Sequence, residues 1–246
     1  MPAADRYFCD TTIRGDGVLL SGPEAHHLVH VMRGGPGARV VLFDGTGWEY
    51  SAQVDEVRGG QARLTILGRE QVDRELPIEI HLGVSLPKGD RQKWLVEKVV
   101  ELGVARIVPL RTARSVAQPV QQALARLRRA VIEASKQCGR NRLMEIGEPQ
   151  EWSDFVPAAP TGGHRLLAHP GKQLSVVSCQ LPAPLTTDNR QLTTAYLAVG
   201  PEGGFTADEV ALATSAGWQQ VDLGRRTLRI ETAAILLVAL VSAEVL

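Results

Sequence analysis

The spacing of hydrophobic residues divides the chain into two regions. Up to about residue 72, apolar runs of strand length alternate with turn signals such as Gly34-Gly35-Pro36-Gly37 and Asp44-Gly45-Thr46-Gly47. Asp-Gly between two such runs is a strong hairpin signal, and one helix is expected from Pro23 to about Met32. The predicted strands are Val18–Leu20, Ala38–Phe43, Trp48–Val54 and Ala62–Leu67. The pattern predicts a compact β-barrel domain over residues 1–72.

From about Ile78 the pattern alternates between buried strands and amphipathic helices, which predicts a largely parallel sheet covered on both faces over residues 73–246. The expected fold class is therefore α/β. The strands are expected at Ile78–Leu86, Arg106–Leu110, His164–His169 and Thr194–Val199, and the helices at Asp90–Leu102, Pro119–Cys138, from Thr206 onward and at Glu231–Leu246. Lys172–Leu192 is rich in Pro, Ser, Thr and Gln and is predicted to be a loop.

Capping signals support these helix boundaries. Thr206 followed by Glu209 makes a capping box, and Gly103 and Gly139 suit the position just after a helix end. Val120, Leu124, Leu127 and Val131 form an apolar stripe on the second helix, and Arg126, Arg129 and Lys136 lie on another face.

Two glycine-marked loops follow apolar strands near the C-terminus. The first has the sequence Gly200-Pro201-Glu202-Gly203-Gly204-Phe205, and the second lies between Leu223-Gly224 and Leu228-Arg229-Ile230-Glu231-Thr232-Ala233. One such loop alone favours a tight strand–helix connection without a ligand. Two of them at the carboxyl edge of one sheet favour a small-molecule crevice built from backbone, in which Leu223 and Leu228 sandwich an aromatic ring.

Charge adds one feature to this picture. The chain has 246 residues with 27 basic and 27 acidic side chains, so its overall balance favours no class of partner. Between Arg106 and Arg142, however, nine residues are basic and only Glu133 is acidic. Such a stretch is typical either of a polyanion-binding face or of a solvated helix face.

Several classes of site and location are disfavoured. The loops match neither GxGxxG nor GxxxxGK[ST], which argues against an ordinary dinucleotide-binding or P-loop enzyme. Cys9, Cys138 and Cys179 are widely spaced, so neither a metal site nor a disulfide framework is expected. The N-terminus has no signal-peptide pattern, and the apolar run Ala233–Val241 is far shorter than the roughly 20 residues that span a bilayer. A cytoplasmic protein without membrane attachment is expected.

Five motifs in register resemble one family over nearly the whole chain. They are Lys88-Gly89-Asp90, Glu101-Leu102-Gly103, Gly139-Arg140-Asn141, the loop from Gly200 to Phe205, and Leu228–Ala233. The chain resembles the SPOUT-class methyltransferases of the RsmE type, which methylate N3 of a uridine in 16S ribosomal RNA. Arg6-Tyr7-Phe8 and the segment from His26 to Arg33 also fit. Arg225-Arg226-Thr227 departs from the family's usual apolar residue and proline.

The resemblance implies a PUA-like RNA-binding barrel, a C-terminal trefoil knot, a homodimer, S-adenosylmethionine as cofactor and the small ribosomal subunit as partner, with no metal. The residues expected to bind the cofactor lie mainly in the two loops and the strands before them, and those expected to bind RNA are basic except for Asn141. The expected cofactor-binding residues are His169, Leu197, Val199, Gly200, Glu202, Gly203, Leu223, Gly224, Leu228 and Thr232. The expected catalytic residues are Arg229, Glu202 and Arg140. The expected RNA-binding residues are Arg6, Arg33, Lys88, Arg111, Arg114, Arg126, Arg129, Arg140 and Asn141.

Roles within this set remain open. Arg229 and Arg140 are candidates to stabilise a uracil anion, whereas Glu202 either orients the cofactor or acts as the base. Two alternative functions are compatible with the same residues: a SPOUT methyltransferase with another RNA target, and a non-catalytic RNA-binding factor in ribosome assembly.

Overall fold

The chain folds into two compact units. The computed structural model describes residues 5–115, 121–160, 163–170 and 194–245. One unit is Met1–Glu75 with Ser135–Leu143, and the other is Leu76–Ala134 with Met144–Leu246. These units differ from the predicted domains mainly by the segment 135–143. Pro119, the expected loop 172–192 and Leu246 lie outside the described residues.

The first unit is built on a mixed sheet, which over the described residues has five strands. They are β1 (Arg6–Phe8), β2 (Gly17–Leu20), β3 (Arg39–Phe43), β4 (Trp48–Arg58) and β5 (Gln61–Gln71). Their order is β1-β3-β4-β5-β2; β1 and β3 are parallel, and the other neighbours are antiparallel. Alternate residues such as Leu42, Val54 and Leu64 are fully buried in its core. Strand β1 was not predicted, because three residues are too few to show alternation.

The helix of the first unit is broken into two short parts. Helix α1 (Gly22–His26) continues directly into a π-helical turn, His27–Val31. After this turn, Arg33 has a φ of 56°, a left-handed backbone conformation that residues other than glycine seldom adopt. The predicted helix from Pro23 to Met32 is therefore confirmed in extent, but not in regularity.

The segment 135–143 is anchored in the first unit by buried polar contacts. Asn141 is 2% exposed; its Nδ2 donates to the Val72 carbonyl at 3.0 Å, and its Oδ1 accepts from Arg6 at 2.7 Å. Arg140 is 4% exposed, and its Nε donates to Glu75 at 3.1 Å. Lys136 pairs with Glu24 at 3.0 Å. Lys136 is thus mostly buried, whereas Arg126 and Arg129, which the sequence places on the same face of the helix, are exposed.

The second unit is a parallel sheet with helices. In chain order its elements are β6 (Glu79–Val84), α2 (Arg91–Glu101), β7 (Arg106–Arg111), α3 (Gln121–Cys138, which ends in the first unit), β8 (Glu145–Ile146), β9 (Gln150–Glu151), α4 (Trp152–Ala158), β10 (His164–Ala168), β11 (Thr194–Val199), α5 (Ala207–Ser215), β12 (Gln219–Val221) and α6 (Ile230–Ala243). The described strands are ordered β12-β10-β11-β6-β7-β8, and β9 also pairs with β7. Every pairing is parallel, which confirms the predicted α/β sheet.

The predicted helix boundaries agree closely with the structure. Gly103 and Gly139 follow α2 and α3 with φ values of 86° and 85°, the left-handed conformation of a helix C-terminus. The capping box is present at α5: the Thr206 side chain accepts from the Glu209 amide, and the Glu209 carboxylate accepts from the Thr206 amide at 2.8 Å. These local signals succeed because each depends only on neighbouring residues.

Candidate cofactor and catalytic site

Three neighbouring parallel strands end at one cavity. Strand β10 lies between β11 and β12, so the loops that follow all three strands meet at the same carboxyl edge. They enclose a cavity of about 220 Å³. The two glycine-marked loops form its walls, and residues just after β10 complete it. This is the edge at which parallel α/β sheets bind ligands.

The first loop approaches the cavity with its backbone. Gly200 directly follows β11, and a Cβ at this position would lie 2.9 Å from the ring of Phe205. Phe205 is 4% exposed and packs on Trp152 with ring centroids 4.5 Å apart. Only a glycine therefore fits between the strand end and this fixed ring, which is itself a cavity wall.

The second loop turns through a glycine with positive φ. Gly224 has a φ of 114° with open space around it, and its N–H donates to Asp222 Oδ1 at 2.9 Å. Leu223 and Leu228, on either side of the loop tip, are half-buried and line the cavity. The predicted pair of apolar side chains facing one space is thus consistent with the geometry.

The end of β10 contributes a polar group. The His169 amide donates to the Val221 carbonyl at 3.1 Å, which continues the sheet beyond Ala168. Its Nδ1 is buried and has no hydrogen-bond partner among the described residues. Burial lowers the pKa of His169 below its ordinary value, so the ring is neutral at pH 7. A neutral imidazole with an unused nitrogen is suited to a polar ligand atom.

Arg91 connects the two loops electrostatically. Its guanidinium lies 3.7 Å from Glu202 of the first loop and 3.5 Å from Glu231 in the first turn of α6. Glu231 is 4% exposed, and its Oε2 has no partner in the described part of the chain. Arg91 was not predicted to act at the site. Its position at the start of α2, directly after the Lys88-Gly89-Asp90 motif, was the available signal.

Two family models match consecutive parts of the chain. A model described as an RNA methyltransferase domain matches residues 74–242, and one described as an RNA methyltransferase PUA domain matches residues 20–67. The chain belongs to the RNA methyltransferase family. Its first unit therefore contains a PUA-like domain and its second a methyltransferase domain.

Relatives and solved structures of this family agree with the assignment. The chain is 34% identical to ribosomal RNA small subunit methyltransferase E of Synechocystis over 92% of its length and 73% of the relative's, and 26% identical to the Bacillus subtilis protein of that name over 91% and 88%. A Legionella pneumophila methyltransferase with bound SAM superposes with a TM-score of 0.86 at 31% identity, covering 98% of this chain and 97% of that one. The Neisseria gonorrhoeae ribosomal RNA small subunit methyltransferase E with bound S-adenosylmethionine gives 0.84 at 31%, with the same coverage.

The cavity of this RNA methyltransferase contains most, but not all, of the predicted cofactor residues. His169, Val199, Gly200, Glu202, Leu223, Gly224 and Leu228 line it. Leu197 is fully buried inside β11, and Gly203 and Thr232 are not among its lining residues. Sequence reasoning missed Pro170, Phe205, Asp222, Arg225, Arg226, Ile230 and Ala233, which also line the cavity. These positions lie in the loops after β10, β11 and β12 or in the first turn of α6, so the loops that follow strands were the signal that could have found them.

The predicted catalytic residues lie in different surroundings. Arg229 is exposed at the N-cap of α6 and forms no ion pair within the described residues. Glu202 is half-exposed and paired with Arg91. Arg140 belongs to the first unit, is buried and binds Glu75. A buried guanidinium that already holds a carboxylate is poorly suited to stabilise a reacting base, so these contacts argue for a structural role of Arg140.

The predicted RNA-binding residues also divide by environment. Arg6 and Arg111 pair with Glu49 and Glu151, and Asn141 is buried. Arg114 donates to the Gly203 carbonyl at 2.7 Å, which joins the loop after β7 to the first cavity loop. Arg33, Lys88, Arg126 and Arg129 are exposed. Of the predicted set, these four exposed cations are the best placed to meet a phosphate.

The part of the chain that the structure describes contains neither a candidate metal site nor a candidate membrane-spanning helix. No three His, Cys, Asp or Glu side chains cluster there as metal ligands would, and none of the described helices is both long and apolar enough to cross a bilayer.

Proposed function

We propose that this RNA methyltransferase transfers a methyl group from S-adenosylmethionine to N3 of a uridine in the 16S ribosomal RNA of the small ribosomal subunit. The observation that carries the proposal is the cavity at the ends of β10, β11 and β12. Two solved relatives with TM-scores of 0.86 and 0.84 hold S-adenosylmethionine, and relatives named ribosomal RNA small subunit methyltransferase E match most of the chain. Such a substrate is consistent with a cytoplasmic enzyme.

The cavity fits this cofactor chemically. The half-buried Leu223 and Leu228 suit an adenine ring, and the unused Nδ1 of His169 suits a polar group. The neutral state of His169 avoids placing a cation next to a sulfonium. We propose that these residues and the backbone of Val199, Gly200 and Gly224 bind the cofactor. When bound, S-adenosylmethionine supplies an electrophilic methyl group.

Arg229 is the residue that we propose for catalysis. Uracil N3 carries a proton at neutral pH, and the nitrogen becomes nucleophilic as that proton leaves for water. Arg229 does not itself line the cavity but lies between the lining residues Leu228 and Ile230, at the N-cap of α6. In this proposal its exposed guanidinium, which has no described acidic partner, stabilises the negative charge that develops on the ring. The N3–H bond breaks and its proton passes to water. The N3–methyl bond would then form as the sulfur–methyl bond of the bound donor breaks, so that the methylated uracil and the departing thioether are both neutral.

Glu202 is better explained as a positioning residue than as the base. Its carboxylate faces Arg91, which also faces the buried Glu231. This arrangement links the first cavity loop to the first turn of α6. We therefore propose that Glu202 orients the loop whose backbone holds the cofactor.

A homodimer and the trefoil knot of the SPOUT class are part of the proposal. Trp94 of α2 is 46% exposed, and Leu236 and Leu240, one turn apart on α6, are partly exposed. Helices α2 and α6 pack together, so these apolar side chains are available for a second copy.

A methylation assay tests the proposal. The purified protein is incubated with labelled S-adenosylmethionine and either transcribed 16S RNA or small subunits reconstituted from it, and the nucleosides are identified by mass spectrometry. We expect 3-methyluridine. A different methylated nucleoside would indicate another RNA target. Donor binding by calorimetry without methylation of either substrate would favour the non-catalytic RNA-binding factor.

A further inference from the structure

The tip of the second cavity loop carries two consecutive arginines that the proposed chemistry does not use. Arg225 and Arg226 form a bend between Gly224 and Thr227, both are exposed, and both line the cavity. Across the described residues neither arginine forms an ion pair or donates a side-chain hydrogen bond. Two uncompensated cations therefore lie at the mouth of the cavity, next to the half-buried Leu223 and Leu228 of its wall.

Several other arginines of the second unit have acidic partners, although the exposed Arg126, Arg129 and Arg229 have none among the described residues. Arg106, Arg111 and Arg128 pair with Glu145, Glu151 and Glu148, at 3.6, 3.3 and 3.7 Å. The acids that line the cavity have partners as well. Asp222 accepts from the Gly224 amide at 2.9 Å, and Glu202 faces Arg91 at 3.7 Å. The charges of Arg225 and Arg226 are thus left for a ligand.

The position of the tip indicates which ligand. Leu223 and Leu228, at the two sides of the tip, are half-buried on the cavity wall, whereas residues 225–227 are exposed. A small cofactor within the cavity would meet the leucines, whereas the exposed arginines are accessible from solvent, through which an RNA would have to approach. An RNA base that reaches such a cavity is turned out of its stack, which brings the phosphates on both sides of it to the mouth.

We propose that Arg225 and Arg226 form a phosphate-binding site that holds the RNA backbone on either side of the target nucleotide. This site deepens the proposed function and rests on it. Two guanidiniums match two flanking phosphates, and each guanidinium presents several donors in a geometry suited to phosphate oxygens. The two arginines would recognise where the phosphates of the RNA backbone lie, and they would not distinguish one base from another.

Salt-dependent RNA binding tests the site. The affinity of the protein for transcribed 16S RNA is measured by filter binding between 0.05 and about 0.3 M salt for the wild type, R225Q, R226Q and R225Q/R226Q. Each phosphate contact to single-stranded RNA adds about 0.7 to the slope of log affinity against log salt. We expect the double variant to lose about 1.4 in slope and about tenfold in affinity near 0.15 M salt.

Three comparisons make the result specific. R225K/R226K keeps both charges and should retain a slope close to that of the wild type. R128Q removes one charge from an exposed arginine of the same unit that already has an acidic partner, and should change the slope by much less than either single variant. The dissociation constant for S-adenosylmethionine, measured by calorimetry, should change by less than twofold in all variants.

Two outcomes would overturn the site. One is a slope in R225Q/R226Q no different from that in R128Q. The other is weaker cofactor binding with unchanged RNA binding, which would assign the arginines to the cofactor's carboxylate. Failure of the proposed function is separate: it would appear as absence of 3-methyluridine with the wild-type protein. The salt slopes still decide the phosphate site in that case, because they are measured without methyl transfer.

Discussion

Arg91, Gly200 and His169 show how single residues define the cavity. Arg91 faces one carboxylate from each of two chain segments, 3.7 Å from Glu202 and 3.5 Å from Glu231. Gly200 leaves the space that the Phe205 ring fills, and His169 keeps an unused nitrogen in a buried place. Each of these residues involves only a few atoms. Replacing any of them with another residue type would displace neighbouring groups or remove a contact.

Gly200→Ala should weaken cofactor binding. The new Cβ would lie 2.9 Å from the Phe205 ring, so the ring, which forms a cavity wall, must shift. Overpacking of this kind costs about 1–3 kcal/mol, and we expect at least about a tenfold increase in the calorimetric dissociation constant for S-adenosylmethionine. Gly203→Ala is the matched control, because its Cβ would meet only the flexible Arg114 side chain at 3.3 Å. Equal effects of the two substitutions would contradict this account.

Cofactor binding should weaken at acidic pH through His169. Burial lowers the pKa of this imidazole, so the charged form appears only below its ordinary value of about 6.5. Protonation would place a cation in a cavity that takes a sulfonium, and the bound cofactor in turn disfavours protonation. Affinity should be constant from pH 8 to about pH 7 and be lost as the pH falls through the lowered pKa. Calorimetry on His169→Gln should show a flatter profile over the acidic range, and an unchanged profile would exclude His169 as the titrating group.

Arg229→Gln should slow methyl transfer while leaving cofactor affinity nearly unchanged. Removing one preorganised group that stabilises a developing anion typically costs about 10²–10³ in kcat. The measurement is single-turnover methylation with saturating RNA and S-adenosylmethionine, alongside calorimetry. Arg229→Lys keeps the charge and should recover part of the rate. A rate within threefold of the wild type in Arg229→Gln would remove this residue from the proposed chemistry.

At the level of strands and helices, the site depends on how these elements are joined at their ends. The chain runs β10, β11, β12, but β10 lies in the middle of the three in the sheet. The loops after β11 and β12 therefore face each other across the end of β10. Helix α5 holds the first loop from the other side: Glu209 accepts from the Thr206 amide at 2.8 Å and from the Ala113 amide at 2.7 Å. The Glu209 side chain that caps α5 thus also holds the loop after β7 and the loop after β11 in place.

Thr206→Ala should destabilise the protein through the start of α5. The Thr206 hydroxyl accepts from the Glu209 amide at 3.2 Å, and loss of such a cap lowers the free energy of unfolding by about 1 kcal/mol. Urea unfolding followed by circular dichroism measures this difference. Thr206→Ser keeps the hydroxyl and should lose much less. If the two variants were equally destabilised, the effect would arise from the Thr methyl group and not from the cap.

Two features concern the molecule as a whole: the path of the chain between the two units and the apolar side chains left exposed on two helices. Helix α3 begins in the second unit and ends in the first, where the segment 135–143 is held by Glu75, Val72 and Arg6. Helices α2 and α6 leave apolar side chains exposed. The first observation shows that neither unit is one continuous stretch of chain. The second is consistent with the proposed homodimer.

Leu236→Glu/Leu240→Glu should convert the proposed dimer to monomers. Two carboxylates on one face of α6 would be buried unpaired at the interface, which is strongly unfavourable. Sedimentation equilibrium should give about twice 26.6 kDa for the wild type and about 26.6 kDa for the variant. Leu212→Glu changes a leucine that is 40% exposed on α5 and should leave the dimer intact. A monomeric wild-type protein would refute the proposal directly.

The amino-acid sequence alone was enough to predict the class of the fold and most of its longer elements, but not the short elements β1, β8, β9 and α4. The period of apolar residues, the glycines after α2 and α3, and the Thr206–Glu209 box act over a few residues, so they predicted helix and strand positions in both units. The motifs also identified the two cavity loops and the family resemblance. These features could be predicted because their physical causes lie within short stretches of chain.

The sequence did not show which predicted residues lie near one another, which are buried and which are paired with an opposite charge. Only the packing of the chain decided this. The sequence places Arg140, Asn141 and Lys136 in or beside the basic stretch. In the structure they are buried against residues far away in sequence: Arg140 contacts Glu75, Asn141 contacts Val72 and Arg6, and Lys136 contacts Glu24. Arg91 and Arg225–Arg226 carried no predicted role, but strand order and loop folding place the first between two carboxylates and the second at the cavity mouth. Burial and charge pairing are properties of long-range packing, and no local pattern contains them.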